Sequence, residues 1–448
     1  MTPAPRPNTR RALAAAWLAG LAIVPAAALA EVTLVQAARV IADAARSPLG
    51  ASTVVVRDGR IERIVAGRID AAGARAQLPD LRPDEPVRVV DLGQRTVLPG
   101  LIDAHVHFAL AAGAPSTALV TTPSSYLALL GARNAAAVLR KGFTTVRDLG
   151  APPEVAQSLR DAIRNGVVPG PRMVVSGPII AIRGGHGDFT TGLTRAISDA
   201  VDPHMTCAGV DECSERVREA SKYGADVIKI TATGGVISLQ GRGLELHFTP
   251  AELKSIVDTA HTLGLKVAAH AHGARGIQAA AEAGVDSIEH GTFADAAALK
   301  AMKEHDTWLV PTIRAFVGVR DGLQRGSYPP VVQAKVREVV GRMGSALKSA
   351  HAAGIRIALG SDSGIFEHTA AIEEARLMVE YGGMTPQEVL VAGTRAAAEL
   401  LGVAGETGTL EPGKSADLIA VDGDPLRDIA ELERVRYVMA RGVPVALE

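Results

Sequence analysis

Five stretches of this sequence end a run of β-forming residues on a side chain that can bind a cation or move a proton. In Leu98-Pro99-Gly100-Leu101-Ile102-Asp103-Ala104-His105-Val106-His107 the two histidines alternate along a candidate strand. They therefore share a face, about two residues' rise apart, and both imidazoles can reach one cation. Lys266-Val267-Ala268-Ala269-His270-Ala271-His272 repeats the pattern, and two further runs end in His290 and Asp362. The fifth, Ala225-Asp226-Val227-Ile228-Lys229-Ile230, places a lysine inside an apolar strand. A buried ammonium is costly without a partner. Lys229 either pairs with a carboxylate such as Asp148 or is carbamylated by carbon dioxide, becoming a carboxylate able to bridge two metals. A lone histidine at a strand end is more often structural, but five strand ends of this kind point jointly to metal-assisted chemistry.

The elements that must position these residues alternate along the chain. Eight short Val/Ile/Ala-rich runs end near His105, Asp148, Gly177, Ile230, His270, His290, Thr312 and Asp362. They read as strands buried on both faces. Helical patterns lie between them. Thr249-Pro250-Ala251-Glu252 supplies an N-cap, a proline at the first helical position and a capping-box glutamate, with Gly264 as the stop. Thr385-Pro386-Gln387-Glu388 opens a similar helix running to Gly402. Eight strand–helix units predict an α/β fold, a (β/α)8 TIM barrel with its site at the C-terminal ends of the strands. A doubly wound open sheet is the alternative, but no G-x-G-x-x-G loop follows the first strand. Two β-rich segments flank the barrel, with hairpin turns at Asp58-Gly59 and Arg441-Gly442. They predict one small discontinuous β-sandwich from residues 31–98 and 405–448, beside a barrel over 99–404.

Composition sets the class. The chain has 448 residues, 47% hydrophobic and 3% aromatic, with a formal net charge of -1. That balance suits a globular protein with an aliphatic core and gives no basic surface for nucleic acid. Residues 1–30 read as a cleavable signal peptide: Arg6, Arg10 and Arg11, an apolar run from Ala12 to about Val24, and the Ala28-Leu29-Ala30 cleavage pattern. Thr9-Arg10-Arg11 resembles the start of a twin-arginine signal. The expectation is export to the periplasm or beyond, with no membrane association after cleavage. Cys207 and Cys213 are the only cysteines; they either pair across their short loop or remain thiols.

Pro99-Gly100-Leu101-Ile102-Asp103-Ala104-His105-Val106-His107 resembles the opening motif of the amidohydrolase superfamily. The resemblance continues through Thr145-Val146-Arg147-Asp148, Val227-Ile228-Lys229, Ala269-His270-Ala271-His272-Gly273, Ile288-Glu289-His290, Gly360-Ser361-Asp362 and the stretch from Gly408 to Leu418. It is greatest to the imidazolonepropionase-like branch, with its Xaa-Pro dipeptidases and the carboxypeptidase-like enzymes that cleave ochratoxin. The resemblance implies two divalent metals, usually zinc. His105, His107 and Asp362 would hold the more buried ion, His270 and His290 the other, with N6-carboxylated Lys229 bridging. His272 would contact substrate, and Asp362 would carry the proton from water to the leaving nitrogen. The family often assembles, which implies a homo-oligomer.

For the substrate, Arg183-Gly184-Gly185-His186-Gly187-Asp188 follows the third run and is glycine-rich, as a loop near a ligand should be. His186 resembles a polar residue that relatives place near the substrate carbonyl or carboxylate. Arg275 and Arg314 follow strand ends, and either could hold a free carboxylate. Ser363 and Gly364 would shape the floor. The leading reading is an exopeptidase or N-acyl amino acid hydrolase acting beside a C-terminal residue. Against a cyclic-amide hydrolase stands the export signal. Against a non-catalytic relative stands the presence of all six expected ligand positions.

Overall fold

In a computed structural model of the chain, the described residues are 32–82, 84–115, 117–201, 205–239 and 243–447. The expected leader, residues 1–30, lies outside them.

Two sheets are built from the ends of the chain. One has four strands in the order Arg60–Ala66, Ser52–Arg57, Val32–Ala37, Val87–Asp91. Its hairpin turns on Asp58 and Gly59, at φ 50° and 75°. Two left-handed residues make the turn whose twist matches antiparallel strands. The other sheet runs Val443–Pro444, Val435–Ala440, Leu418–Val421, Thr96–Pro99, Arg39–Val40, so it joins both ends of the chain. Val35, Val54, Leu92, Val97, Leu418 and Met439 form one buried cluster drawn from both sheets. Strand Thr96–Pro99 continues through Gly100 into the central part of the fold. A Cβ at Gly100 would lie 2.1 Å from Thr144 Oγ1, so glycine is required for the chain to pass.

The central part alternates parallel strands with helices. The strands are β1 (Leu101–Val106), β2 (Phe143–Asp148), β3 (Arg172–Val175), β4 (Ile179–Ile182), β5 (Val227–Thr231), β6 (Lys266–Ala271), β7 (Ser287–His290) and β8 (Trp308–Val310). β1, β2 and β3 form one parallel sheet; β4 to β8 lie in order in another, with the two-residue strand Thr206–Cys207 beside β4. Both faces are apolar. Ile228, Val267, Ile288 and Leu309 pack with helix residues such as Leu253, Ile256, Ile277 and Met302. The alternate residues Val227, Ala268 and Trp308 join Ile102, Leu149, Ala358 and Leu400 in a second cluster. Two residues beyond Val227 and Ala268, on that second face, come Lys229 and His270.

Three expectations are corrected. The third run ends near Gly177, with β3 stopping at Val175, but the chain then resumes as a further strand, β4, outside the eight expected runs. Gly177 at φ 66° and Pro178, which has no N–H, break the ladder between them. The eighth run is not a continuous ladder strand. Residues 356–363 bond singly to both sides, Ala358 N to Leu309 O at 3.0 Å, and Ala104 N and His107 N to Leu359 O and Ser363 O at 2.9 and 2.8 Å. Asp362, at φ 62°, interrupts the extended conformation. The helix expected from Thr385 to Gly402 is two, Pro386–Ala392 and Arg395–Leu401. The carbonyls of Ala392 and Gly393 instead accept from Leu359 N and Ile102 N, at 2.9 and 2.8 Å. The capping boxes at Thr249 and Thr385 both form. Cys207 and Cys213 are disulfide-bonded and buried. Among the described residues no helix is long and apolar enough to cross a membrane.

Candidate metal centre

The first group sits where β1 meets the segment ending at Asp362. His105 Nε2 lies 3.3 Å from His107 Nε2 and 3.5 Å from Asp362 Oδ1, and His107 Nε2 is 3.2 Å from the same oxygen. His105 is 1% exposed. Its other nitrogen, Nδ1, donates to Glu289 Oε2 at 2.8 Å, which leaves Nε2 as a bare lone pair. Burial first, and then the Lys229 ammonium, lower the His105 pKa to about 4. Burial alone would raise the Asp362 carboxyl, but His105 and His107 outweigh it and hold it below the ordinary value. Two imidazoles and a carboxylate thus converge on a common point, where a cation would meet all three.

The second group is made by β6 and β7. His270, His272 and His290 can place one nitrogen each within 4.8 Å of the other two, as can the first group its three atoms. Each is anchored through one ring nitrogen. His290 Nδ1 donates to Thr312 Oγ1 at 2.6 Å, whose own proton goes to Pro311 O. His272 Nδ1 meets Thr292 Oγ1 at 2.7 Å, and His270 Nε2 meets Gly234 O at 3.3 Å. Burial lowers the pKa of all three, that of His272 to about 3, so the imidazoles are held neutral. The groups adjoin: the His105 and His290 ring centroids are 5.3 Å apart. Lys229 lies between β4 and β6, with Nζ 3.4 Å from His105 Nε2. Burial brings its pKa down to about 8. Asp148 does not pair with it; that carboxylate accepts from Phe108 N and Gly150 N.

Residues 96–445 match the amidohydrolase family model. The chain belongs to the amidohydrolase family. It is 34% identical over 403 residues to an ochratoxinase from Aspergillus niger, covering 84% of this chain and 80% of that one. It is 28% identical over 412 residues to an imidazolonepropionase from Rhizobium meliloti (strain 1021), covering 83% and 86%. It also resembles the crystal structure of a Xaa-Pro dipeptidase with bound methionine in the active site, at 37% identity and a TM-score of 0.85, covering 92% and 99%. This amidohydrolase is a hydrolase acting on carbon–nitrogen bonds.

The fold therefore brings His105, His107, Lys229, His270, His272, His290 and Asp362 together in this amidohydrolase. His186 joins them, its ring 4.3 Å from that of His270 and its Nδ1 2.7 Å from Ser238 Oγ. Ser363 is buried beside His107. The two arginines stand apart. Arg275 is exposed on the first turn of helix Ala274–Ala283. Arg314 is turned to Glu373, with Nε 3.0 Å from Oε2, and lies 4.4 Å over the Phe366 ring. Sequence reasoning gave Arg147 and Glu289 no role, yet both are buried at the centre of the site. An arginine inside an apolar strand is the same anomaly that singles out Lys229.

Proposed function

We propose that this amidohydrolase cleaves an amide or peptide bond next to a C-terminal residue, using two divalent ions. The observation that carries this is the convergence of two acceptor groups on adjoining points, His105, His107 and Asp362 beside His270, His272 and His290. The first three would hold one ion, His270 and His290 the other, with Lys229 carboxylated and bridging. The donor set of imidazoles and carboxylates suits zinc. Ions held there supply activation of a water and polarisation of the scissile carbonyl. Asp362 takes the water's proton and passes it to the leaving nitrogen, a double role open to a carboxylate that is both ligand and base. His272 and His186 border the second group and would meet the substrate carbonyl or carboxylate.

The architecture fits this reading. The bonds that residues 356–363 make to β1 and β8 support a closed (β/α)8 barrel over residues 99–404. The two terminal sheets with their shared core support a β-sandwich from 31–98 and 405–448. The signal pattern in residues 1–30 supports export to the periplasm or beyond, and the family's habit of assembling favours a homo-oligomer. Substrates would be dipeptides, N-acyl amino acids or ochratoxin-like phenylalanine amides. That class follows the similarity to the ochratoxinase and the Xaa-Pro dipeptidase. A hydrolysis screen against these compounds, imidazolonepropionate and simple lactones tests the reading. Turnover of the acyclic amides is expected. Activity confined to imidazolonepropionate would replace it with the cyclic-amide reading.

A further inference from the structure

The two ligand groups differ in what stands behind their imidazoles. In the second group the supporting atoms are neutral: two threonine hydroxyls and one backbone carbonyl. In the first, His105 Nδ1 meets a carboxylate. Glu289 is fully buried, and its two oxygens are used up by three donors: His105 Nδ1 at 2.8 Å on Oε2, with Arg147 Nη2 at 2.8 Å and Ser287 Oγ at 2.6 Å on Oε1. Arg147 is itself 1% exposed. It is pinned through Nε to Ala104 O at 2.7 Å and through Nη1 to Ser287 Oγ at 3.1 Å. A chain of charge-assisted bonds thus runs from β2 through β7 to β1 and ends on one imidazole.

From this arrangement we infer that Glu289, held by Arg147, is a positioning residue that makes the His105, His107 and Asp362 group the tighter of the two cation sites. The inference rests on the two-ion reading above. A carboxylate that can only accept fixes the proton of His105 on Nδ1, points the Nε2 lone pair at the cation and enriches it in electron density. A threonine hydroxyl does the first of these and little of the second. Partners of this kind change metal affinity about ten- to a hundredfold.

The test is a Co2+ titration of the metal-stripped full-length protein, followed by the visible absorption of the bound ion and by competition with a chelator. The parent protein should bind two ions in separable steps, the first at least about tenfold tighter. Glu289→Gln should weaken the first step by about ten- to a hundredfold and leave the second nearly unchanged. Thr312→Val, which removes the partner of His290, should weaken only the second, and Arg147→Lys, which loosens the hold on Glu289, should weaken the first and decides the matter if Glu289→Gln does not fold. Two equal steps in the parent, a first step indifferent to Glu289→Gln, or a first step weakened by Thr312→Val would overturn the inference while leaving the two-ion reading in place. A parent protein that binds no Co2+ would overturn both.

Discussion

The hairpins of the terminal sheets and the strand ends of the metal centre use the same unusual backbone for opposite purposes. Among the described residues, six non-glycine positions have positive φ: Asp58, His290, Asp306, Thr312, Asp362 and Arg441. Two of them, Asp58 and Arg441, sit in hairpin turns beside Gly59 and Gly442, where a left-handed pair gives the twist that the strands need. Three others, His290, Thr312 and Asp362, are site residues with no hairpin to make. A left-handed residue with a side chain costs about 1–3 kcal/mol unless its surroundings compel it. Here they do. Asp362 N is held by His105 O at 2.8 Å, and the His290 and Thr312 side chains hold each other. The buried Glu374 carboxyl receives Ile313 N and Arg314 N, just after Thr312. In the hairpins the conformation shapes the chain; at the site it aims side chains that the ordinary strand geometry would point elsewhere.

That contrast can be broken in three places. Asp362→Asn keeps a residue that accepts positive φ and removes the proposed base. Turnover should fall by roughly 10³-fold in steady-state kinetics with the thermal midpoint nearly unmoved. A rate within about tenfold of the parent would refute the role given to Asp362. His290→Asn likewise preserves the backbone and deletes a proposed ligand. Activity should drop by about 10²-fold, whereas the metal-free protein should unfold within about 1 kcal/mol of the parent. A larger loss of stability would mean that the imidazole, and not the backbone, carries the local fold. Gly442→Ala acts on the other region. Its Cβ would lie 2.2 Å from Gly59 Cα at a position with φ 77°. Stability should fall by about 3 kcal/mol in denaturant titration, and kcat per folded molecule should not change. A matching fall in kcat would couple the hairpins to the site and dissolve the contrast.

How much of this was legible in the sequence follows from the range of each interaction. Lys229, His270, His290 and Asp362 stand out because alternation and strand ends are local properties, readable over a few residues. The Asp58-Gly59 and Arg441-Gly442 turns are local in the same way. The chain behind His105 is not: Arg147 and Glu289 are 142 residues apart, and Glu289 and His105 184. No window of sequence joins them. Arg275 and Arg314 show the converse. Each follows a strand end, but whether an arginine turns to the substrate or to Glu373 is decided by a helix distant in sequence. The interrupted eighth strand and last helix have a similarly distant origin, since the carbonyls of Ala392 and Gly393 bond to Leu359 N and Ile102 N, whereas the break after the third strand is local to Gly177 and Pro178.

The most direct test of the account is metal analysis of the purified full-length protein after equilibration with zinc, with amide hydrolysis measured on the same sample. The account predicts about two ions per chain and activity that is lost on chelation and restored by zinc. Fewer than about one ion per chain, with no activity regained on adding zinc, would contradict it.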